Sequence, residues 1–421
     1  MIAELSHAEP VAPGDTAATT ALRGRNAAVV VYSTYPADPR VHRATEALIE
    51  AGMHVDVFCI TGGANVPRHE CVGAANVTRS AITHQRETKI RYLLNYGRFL
   101  AGAFWYLARR ALSKRYAVVH VHNMPDVLVF CALIPKLLGA RVILDLHDPM
   151  PELMVAIYGM DERSAFVRLL RICERFSIGF ADLAITPNIA FKDLFISRSC
   201  RSEKMHIVMN SPEESIFRIE QRASGRRADD TFRIMHHGSI VHRHGVDLLV
   251  QAVAQIRSSI PGVRLDIYGN ATPFLDLVLA LAQRLKVADI VTYHGAKDPA
   301  GIADAIRQAD LGVVPNRRSV FTDTNFPTRI FEYLALGCPV IAPSTKGIRD
   351  YFAEGELLMF EPGNLNDLVA KIRHVWSLPS ETQQVAAEGQ NVYRAHLWTQ
   401  EKSAFVQSVS RLLLPAPGRR V

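Results

Sequence analysis

Two parallel, doubly wound α/β domains facing one another across a cleft form the fold class that the sequence predicts. Three observations predict it: short β-branched apolar runs alternate with helical patterns, the alternation occurs twice, and a polar stretch separates the two sets. The first set is Ala27–Ser33, His54–Ile60, Ala117–Val121 and Arg141–Leu146. The second is Phe232–His236, Val263–Tyr268, Ile290–Tyr293, Leu311–Val314 and Val340–Ala342. Between them residues 211–231, SPEESIFRIEQRASGRRADDT, have the Gly, Arg and Asp content of a linker. The expected division is a disordered tail over 1–25, an N-terminal Rossmann-like domain over 26–213, a linker over 214–230, a C-terminal Rossmann-like domain over 231–398, and a C-terminal helix and tail over 399–421 that can cross back to the first domain. No fixed-period repeat is present.

Residues 321–343, FTDTNFPTRIFEYLALGCPVIAP, are the most informative stretch. A helix is expected to begin near Pro327, where free backbone N–H groups welcome an anion such as phosphate. Glu332, about one turn on, is placed to accept hydrogen bonds from vicinal hydroxyls. Gly337-Cys338-Pro339 then stops the helix and turns the chain into the Val340–Ala342 strand.

Composition narrows the class. A 421-residue chain with 48% hydrophobic and 21% charged residues is a globular protein with room for two cores. A net charge of +7 suits an anionic ligand or an anionic surface. Nucleic acid is disfavoured, because no basic motif is interleaved with aromatic residues. The six cysteines include no C-x-x-C pair and read as reduced residues of a cytoplasmic protein. Residues 1–25 lack the basic start and apolar run of a signal peptide.

Residues 89–115, KIRYLLNYGRFLAGAFWYLARRALSKR, contain no acidic residue. Their longest uncharged run, Phe99–Ala108, is far short of the roughly 20 residues that span a bilayer. Arg91, Arg98 and Arg109 share one helical face while Ile90, Leu93, Leu94, Leu100, Phe104 and Leu107 share another. Such a helix either lies on an anionic membrane or packs on its own domain with a solvated basic edge.

In open α/β sheets, ligands sit beyond the carboxyl ends of the strands. Those ends carry His120-Val-His122-Asn123, Asp145-Leu-His147-Asp148 and His236-His237-Gly238-Ser239. His120, His122 and Asp148 also permit a metal site, and with it a metal-dependent hydrolase. Two absences weigh on the other side. No G-x-G-x-x-G follows the first strand, and neither a phosphate loop of the G-x-x-x-x-G-K type nor an Asp-x-Asp pair occurs. A sugar-nucleotide enzyme with these residues has to neutralise diphosphate with backbone amides and basic side chains.

From about residue 27 to 413 the sequence resembles the GT-B glycosyltransferases, closest to family 4, a retaining group that builds bacterial polysaccharides and glycolipids. The resemblance rests on Asp38-Pro-Arg40-Val41, Ala51-Gly52-Met-His-Val, His147-Asp148, Asn210 with Phe217, Gly238 through Gly245, Ile267-Tyr-Gly269, Ala309-Asp310-Leu-Gly-Val-Val-Pro315, and Glu332 through Ile341. It implies two Rossmann-like domains.

It also implies roles. Glu332 matches the second member of the family's Glu-x7-Glu pair, which holds the ribose; Thr324 stands at the first. Thr324, Asn325 and Phe326 then line the donor sugar, with Gly238, Ser239 and Gly269 beside the nucleotide. Ser239 and His244 occupy positions where relatives carry Arg and Lys, so Arg243 and Arg329 are the candidate replacement cations for the diphosphate. His147 matches a histidine that orients the transferred sugar, and Asp38, Arg40 and Asp148 fall on the acceptor side. The implied reaction is metal-independent transfer from a nucleoside diphosphate sugar to a glycan or lipid-linked acceptor, with retention and without a further cofactor. A GT-B-fold sugar-nucleotide epimerase and a nucleotide-binding protein with a decayed site remain as alternatives.

Overall fold

The computed structural model describes residues 20–63, 65–83, 89–222 and 231–414, with side chains left out at 83 and 89–93. The chain forms two sheets. In the first, β1 (Asn26–Thr34), β2 (His54–Thr61), β3 (His69–Val72), β4 (Ala75–Thr83), β5 (Tyr116–His122), β6 (Arg141–Asp145), β7 (Leu183–Thr186) and β8 (Met205–Ile207) lie in the order β3-β4-β2-β1-β5-β6-β7-β8. Among the described residues, only the β3–β4 edge pair is antiparallel. The second sheet contains β9 (Phe232–His237), β10 (Val263–Tyr268), β11 (Val291–Tyr293), β12 (Leu311–Val313), β13 (Val340–Pro343) and β14 (Leu358–Phe360) in the order β11-β10-β9-β12-β13-β14. All of its pairs are parallel. In both sheets the order reverses beside the first strand, which opens a crevice at the carboxyl ends there.

Both faces of the first sheet are covered, which explains why its central strands are mostly apolar. One face packs Ala28, Val30, Val119 and Leu144 against Phe99 and Leu107 of helix Lys89–Lys114 and Ile178 of helix Ala165–Phe180. The other packs Val29, Val57 and Ile143 against Val41 and Leu48 of helix Pro39–Glu50 and Phe405 and Val409 of helix Trp398–Leu413. The last helix therefore closes the first sheet. Residues 20–25, expected in the tail, include fully buried Leu22; residues 1–19 lie outside the described ones.

The stretch expected as a linker is not free of the second unit. Phe217 is buried there with Tyr333 and Leu334, and Glu220 N–H donates to Ala335 O at 2.8 Å. Ile216 and Ile219 pack beside Phe217, and Arg222 donates to Ala309 O at 2.6 Å, so the segment is docked along its described length. Residues 223–230 lie outside the described ones. Three contacts join the two sheets' units on one side: Lys346 Nζ to Asp193 at 2.8 Å, Ile189 N–H to Tyr351 Oη at 3.0 Å, and the Phe191 and Phe321 rings, with centroids 6.0 Å apart.

Candidate functional site

At the carboxyl end of the first sheet, β5 places His120 and His122 on one side because they are two residues apart, and its register sets His122 opposite Asp145 of β6. Helix Pro39–Glu50, capped by the Asp38 carboxylate, delivers Arg40 to this point. Arg40 donates to Asp145 from Nη2 at 2.7 Å and from Nε at 3.1 Å, and to Val208 O from Nη1 at 2.9 Å. Burial alone would raise the Asp145 carboxyl, but Arg40 and the surrounding histidines hold it well below the usual carboxylate range. His122 Nδ1 lies 2.9 Å from His147 Nε2. Burial lowers both imidazoles, so they are neutral.

This geometry corrects one acceptor-side expectation. Arg40 is buried against Asp145 and is committed to it, so it offers no donor to an acceptor. The metal reading changes too. The third residue of a group with His120 and His122 is Asp145 rather than Asp148, with ligand atoms within 4.8 Å of one another. Since Arg40 already neutralises Asp145, a divalent ion there would sit beside a buried guanidinium. Asp148 faces the other unit instead. Burial pushes its carboxyl up to about 6, and Arg243 of the second unit is close enough to pull it back down. The Asn123 side chain fixes this corner, accepting from His147 N–H at 2.8 Å and donating to Asp148 O at 2.9 Å.

The end of the second sheet is built differently. After β9 the chain runs into exposed Gly238 and Ser239. Gly238 has φ +120°, and a Cβ there would lie 2.4 Å from Arg329 Nη1. Gly269, at the end of β10, packs so tightly that a Cβ would lie 2.1 Å from Gly238 O. Glycine is thus required at both places, and its role at 269 is to support the loop. Arg329 sits beneath that loop, its Nη1 donating to His237 O at 2.6 Å. The Gly238 N–H is spent on Tyr268 O at 3.0 Å, so it is unavailable to a phosphate. His244 braces the loop through Nδ1 to Ser239 O at 2.6 Å. Burial and Arg329 push it down to about 2, so it supplies no charge where relatives carry Lys.

Helix Arg329–Ala335 begins two residues after Pro327 and presents Glu332 to the same space. Glu332 keeps a fifth of its side chain exposed, and its Oε2 lies 3.4 Å from His237 Nε2. Burial raises its carboxyl to about 7, opposed by Arg329 and by Arg43 of the first unit. Thr324 turns its hydroxyl onto Phe321 O at 3.1 Å, and Asn325 is half-buried beside it. Phe326 is a correction: its ring is buried with Phe331, Tyr351 and Phe352, so it supports the loop from below without facing a ligand.

Two participants were not assigned from sequence. Arg43, one turn after Arg40, reaches Asn210 and Ser211 and acts electrostatically on Glu332. His237 touches Glu332 itself. The signal for Arg43 was its i+3 spacing from Arg40, which puts both on one helix face. That for His237 was its place immediately before Gly238.

Comparison with known proteins follows this division of the chain. The family described as Glycosyl transferases group 1 matches residues 217–392, and the Glycosyl transferase 4-like domain matches residues 37–211. The D-inositol 3-phosphate glycosyltransferase of Segniliparus rotundus is 31% identical over 153 residues, 35% of this chain and 33% of that protein. The enzyme of the same description from Rhodococcus erythropolis is 26% identical over 171 residues, 38% of this chain and 37% of that protein. The match thus spans little more than a third of the length of these relatives. Among solved structures, sucrose-phosphate synthase of Thermosynechococcus elongatus superposes with a TM-score of 0.74 at 19% identity, covering 92% of this chain and 99% of that one. HepE of Anabaena in complex with UDP-glucose superposes with a TM-score of 0.67 at 16% identity, covering 92% of this chain and 99% of that one. Its two sheets, the crevice between them and the two matched family domains place this chain among the GT-B glycosyltransferases, in the family 4-like group.

Proposed function

We propose that the protein transfers a sugar, with retention at the anomeric carbon, from a nucleoside diphosphate sugar to a glycan or lipid-linked acceptor. The observation that carries this reading is the convergence of Arg329 beneath an exposed Gly238–Ser239 loop, Glu332 beside it, and Arg243 facing Asp148 from across the crevice. Solved neighbours of the same fold bind UDP and UDP-glucose, which supports a nucleotide-sugar donor.

In this mechanism Glu332, oriented by His237, accepts hydrogen bonds from the ribose hydroxyls. Ionising it requires its raised carboxyl to lose a proton, and a bound ribose favours that. Arg329 and Arg243 stabilise the charge that grows on the departing diphosphate. The acceptor hydroxyl attacks from the same face and gives its proton to the leaving phosphate. Neutral His147, held by His122, orients the sugar and is not needed as a base. Neither a metal nor a further cofactor takes part. Closing the crevice excludes water and suppresses donor hydrolysis.

Cell-surface polysaccharide or glycolipid synthesis at the inner face of the membrane fits this chemistry. Among the described residues, no helix is long and apolar enough to cross a membrane. Helix Lys89–Lys114 exposes Leu94, Arg98, Trp105, Arg109 and Leu112 along one stripe, a pattern suited to lying on an anionic bilayer. The apolar face expected from the sequence is not the exposed one: Leu107 is buried, Leu100 and Phe104 pack against the first sheet, and Leu94 stands on the arginine stripe; the Arg91, Ile90 and Leu93 side chains lie outside the described residues.

A thermal-shift screen of nucleotide sugars tests the reading directly. A donor at 100 times its dissociation constant should stabilise the protein by about 2.7 kcal/mol. If no nucleoside diphosphate or its sugar shifts the transition, the donor site is wrongly placed.

A further inference from the structure

Helix Ala165–Phe180, AFVRLLRICERFSIGF, is turned the opposite way from an ordinary surface helix. The face it buries carries Val167, Glu174, Ser177 and Ile178, and the Glu174 carboxylate there is neutralised by Arg198 at 2.6 Å. Outward, at helical spacing, stand Phe166, Leu169, Ile172 and Phe176, between 49% and 68% exposed. Arg168 and Arg175 are exposed along one edge of this stripe.

The stripe belongs to a larger surface. Helices Ala165–Phe180 and Lys89–Lys114 pack on the same face of the first sheet, through Ile178 and Phe99 respectively. Helix Leu133–Leu137 lies alongside Lys89–Lys114, with Leu137 74% exposed. Most of the exposed large apolar side chains among the described residues fall between Leu94 and Phe176. Near Phe180 the surface opens into a groove lined by Lys136, Arg201 and Lys204 and also by Glu203 and Asp182, the latter paired with Lys136 at 2.7 Å. The helices beside it carry few acids: Lys89–Lys114 has none, and the single one on Ala165–Phe180 is buried Glu174.

We propose that this face is a membrane-docking surface on which helix Ala165–Phe180 inserts its Phe-Leu-Ile-Phe stripe into the interface of an anionic bilayer, while Arg168 and Arg175 meet lipid phosphates. Charge selects the occupant. A second copy of the chain on the same face would bring the arginines of one copy towards those of the other, whereas anionic lipid complements both the cations and the apolar stripe. The inference deepens the membrane reading of helix Lys89–Lys114 by adding a second, more apolar element, and it is independent of the transfer chemistry.

The test is co-sedimentation with vesicles of phosphatidylcholine alone or mixed with phosphatidylglycerol, using the full chain and two variants. The first variant is Leu169→Gln, Ile172→Gln and Phe176→Gln together, at exposed positions that the core does not use. The second is Arg98→Gln with Arg109→Gln. The native protein is expected to partition onto the mixed vesicles, with binding weakened but retained at high salt because part of it is apolar. The first variant should lose at least about tenfold in partitioning, with its melting temperature and nucleotide binding unchanged. If that variant binds as well as the native protein while the arginine variant does not, helix Ala165–Phe180 does not insert and only Lys89–Lys114 docks. If the native protein ignores both vesicle types and sediments as a dimer that the first variant splits, a second copy covers this face and the proposal is overturned. Equal binding to neutral and anionic vesicles would overturn the part assigned to Arg168 and Arg175. Loss of nucleotide binding by the native protein would count against the donor site alone.

Discussion

The carboxyl ends of the two sheets are topologically equivalent and chemically opposite. At the first, a buried guanidinium is already matched: Arg40 holds Asp145 with His120 and His122 around it. At the second, Arg329 lies under a glycine loop and Arg243 on its rim, and neither forms an ion pair within its own unit among the described residues. A paired buried charge adds rigidity and little affinity for anything else, whereas an uncompensated one is poised for an anion. The same residue type therefore serves architecture at one end and, in the proposed mechanism, ligand binding at the other.

The most disruptive way to probe this contrast is Arg40→Ala. It strands the Asp145 carboxylate in the core, and removing one partner of a buried pair costs about 3–5 kcal/mol. Denaturant unfolding should show that loss, and Asp145→Asn in the same background should recover part of it. A variant as stable as the native protein would mean that Arg40 is free for ligand after all.

Arg329→Ala should do the reverse. Diphosphate binding should weaken by about 1.5–3 kcal/mol, roughly tenfold to more than a hundredfold, while the affinity for free nucleoside changes little. Calorimetric titration with both ligands separates this from general misfolding, which would weaken them equally.

Glu332→Gln sharpens the comparison through pH. Its folded carboxyl stands near 7, above the ordinary 4.5, so the folded protein binds the proton more tightly than the unfolded chain. The stability that this contributes is present at low pH and is lost as pH rises through the folded value. The variant should therefore melt higher than the native protein at about pH 8, with the difference vanishing near pH 4. Turnover should nevertheless fall at least about tenfold, and donor binding should lose its rise between about pH 6 and 8. A variant that gained no stability on the alkaline side would place the carboxylate in water.

The smallest expected effect is that of a chelator. With Asp145 committed to Arg40, sugar transfer should survive chelation nearly intact. Abolition, with rescue by one particular divalent ion, would instead assign His120, His122 and Asp145 to a metal and erase the contrast.

How much of this was legible in the sequence depended on length and burial. Strands such as β1 and β2 announced themselves as β-branched runs because they are buried on both faces. The β3–β4 hairpin did not, since an edge pair alternates polar and apolar residues and reads as loop. Strands β7, β8 and β14, three or four residues long, are too short to carry a periodic signal. In the site, the positions of Gly238 just after β9 and of Glu332 on helix Arg329–Ala335 were readable because a tight turn and a helix start depend on residue type. Arg40 and Phe326 misled because type does not reveal direction: an arginine at a helix start can point into the core, and a phenylalanine in a pocket loop can be its foundation.

The packing of helix Trp398–Leu413 on the first sheet has a consequence during synthesis. Domains generally mature from the N-terminus as the chain emerges, yet one face of this first sheet, including Val29 and Ile143, is covered by Phe405 and Val409, which are translated after the whole second sheet. The N-terminal half leaves the ribosome with an apolar face still open and must keep it from other chains until helix Trp398–Leu413 arrives. A genetic split of the protein at residue 215 would leave that face permanently bare, so the two halves should be recovered in native form only when the second is present to supply its terminal helix.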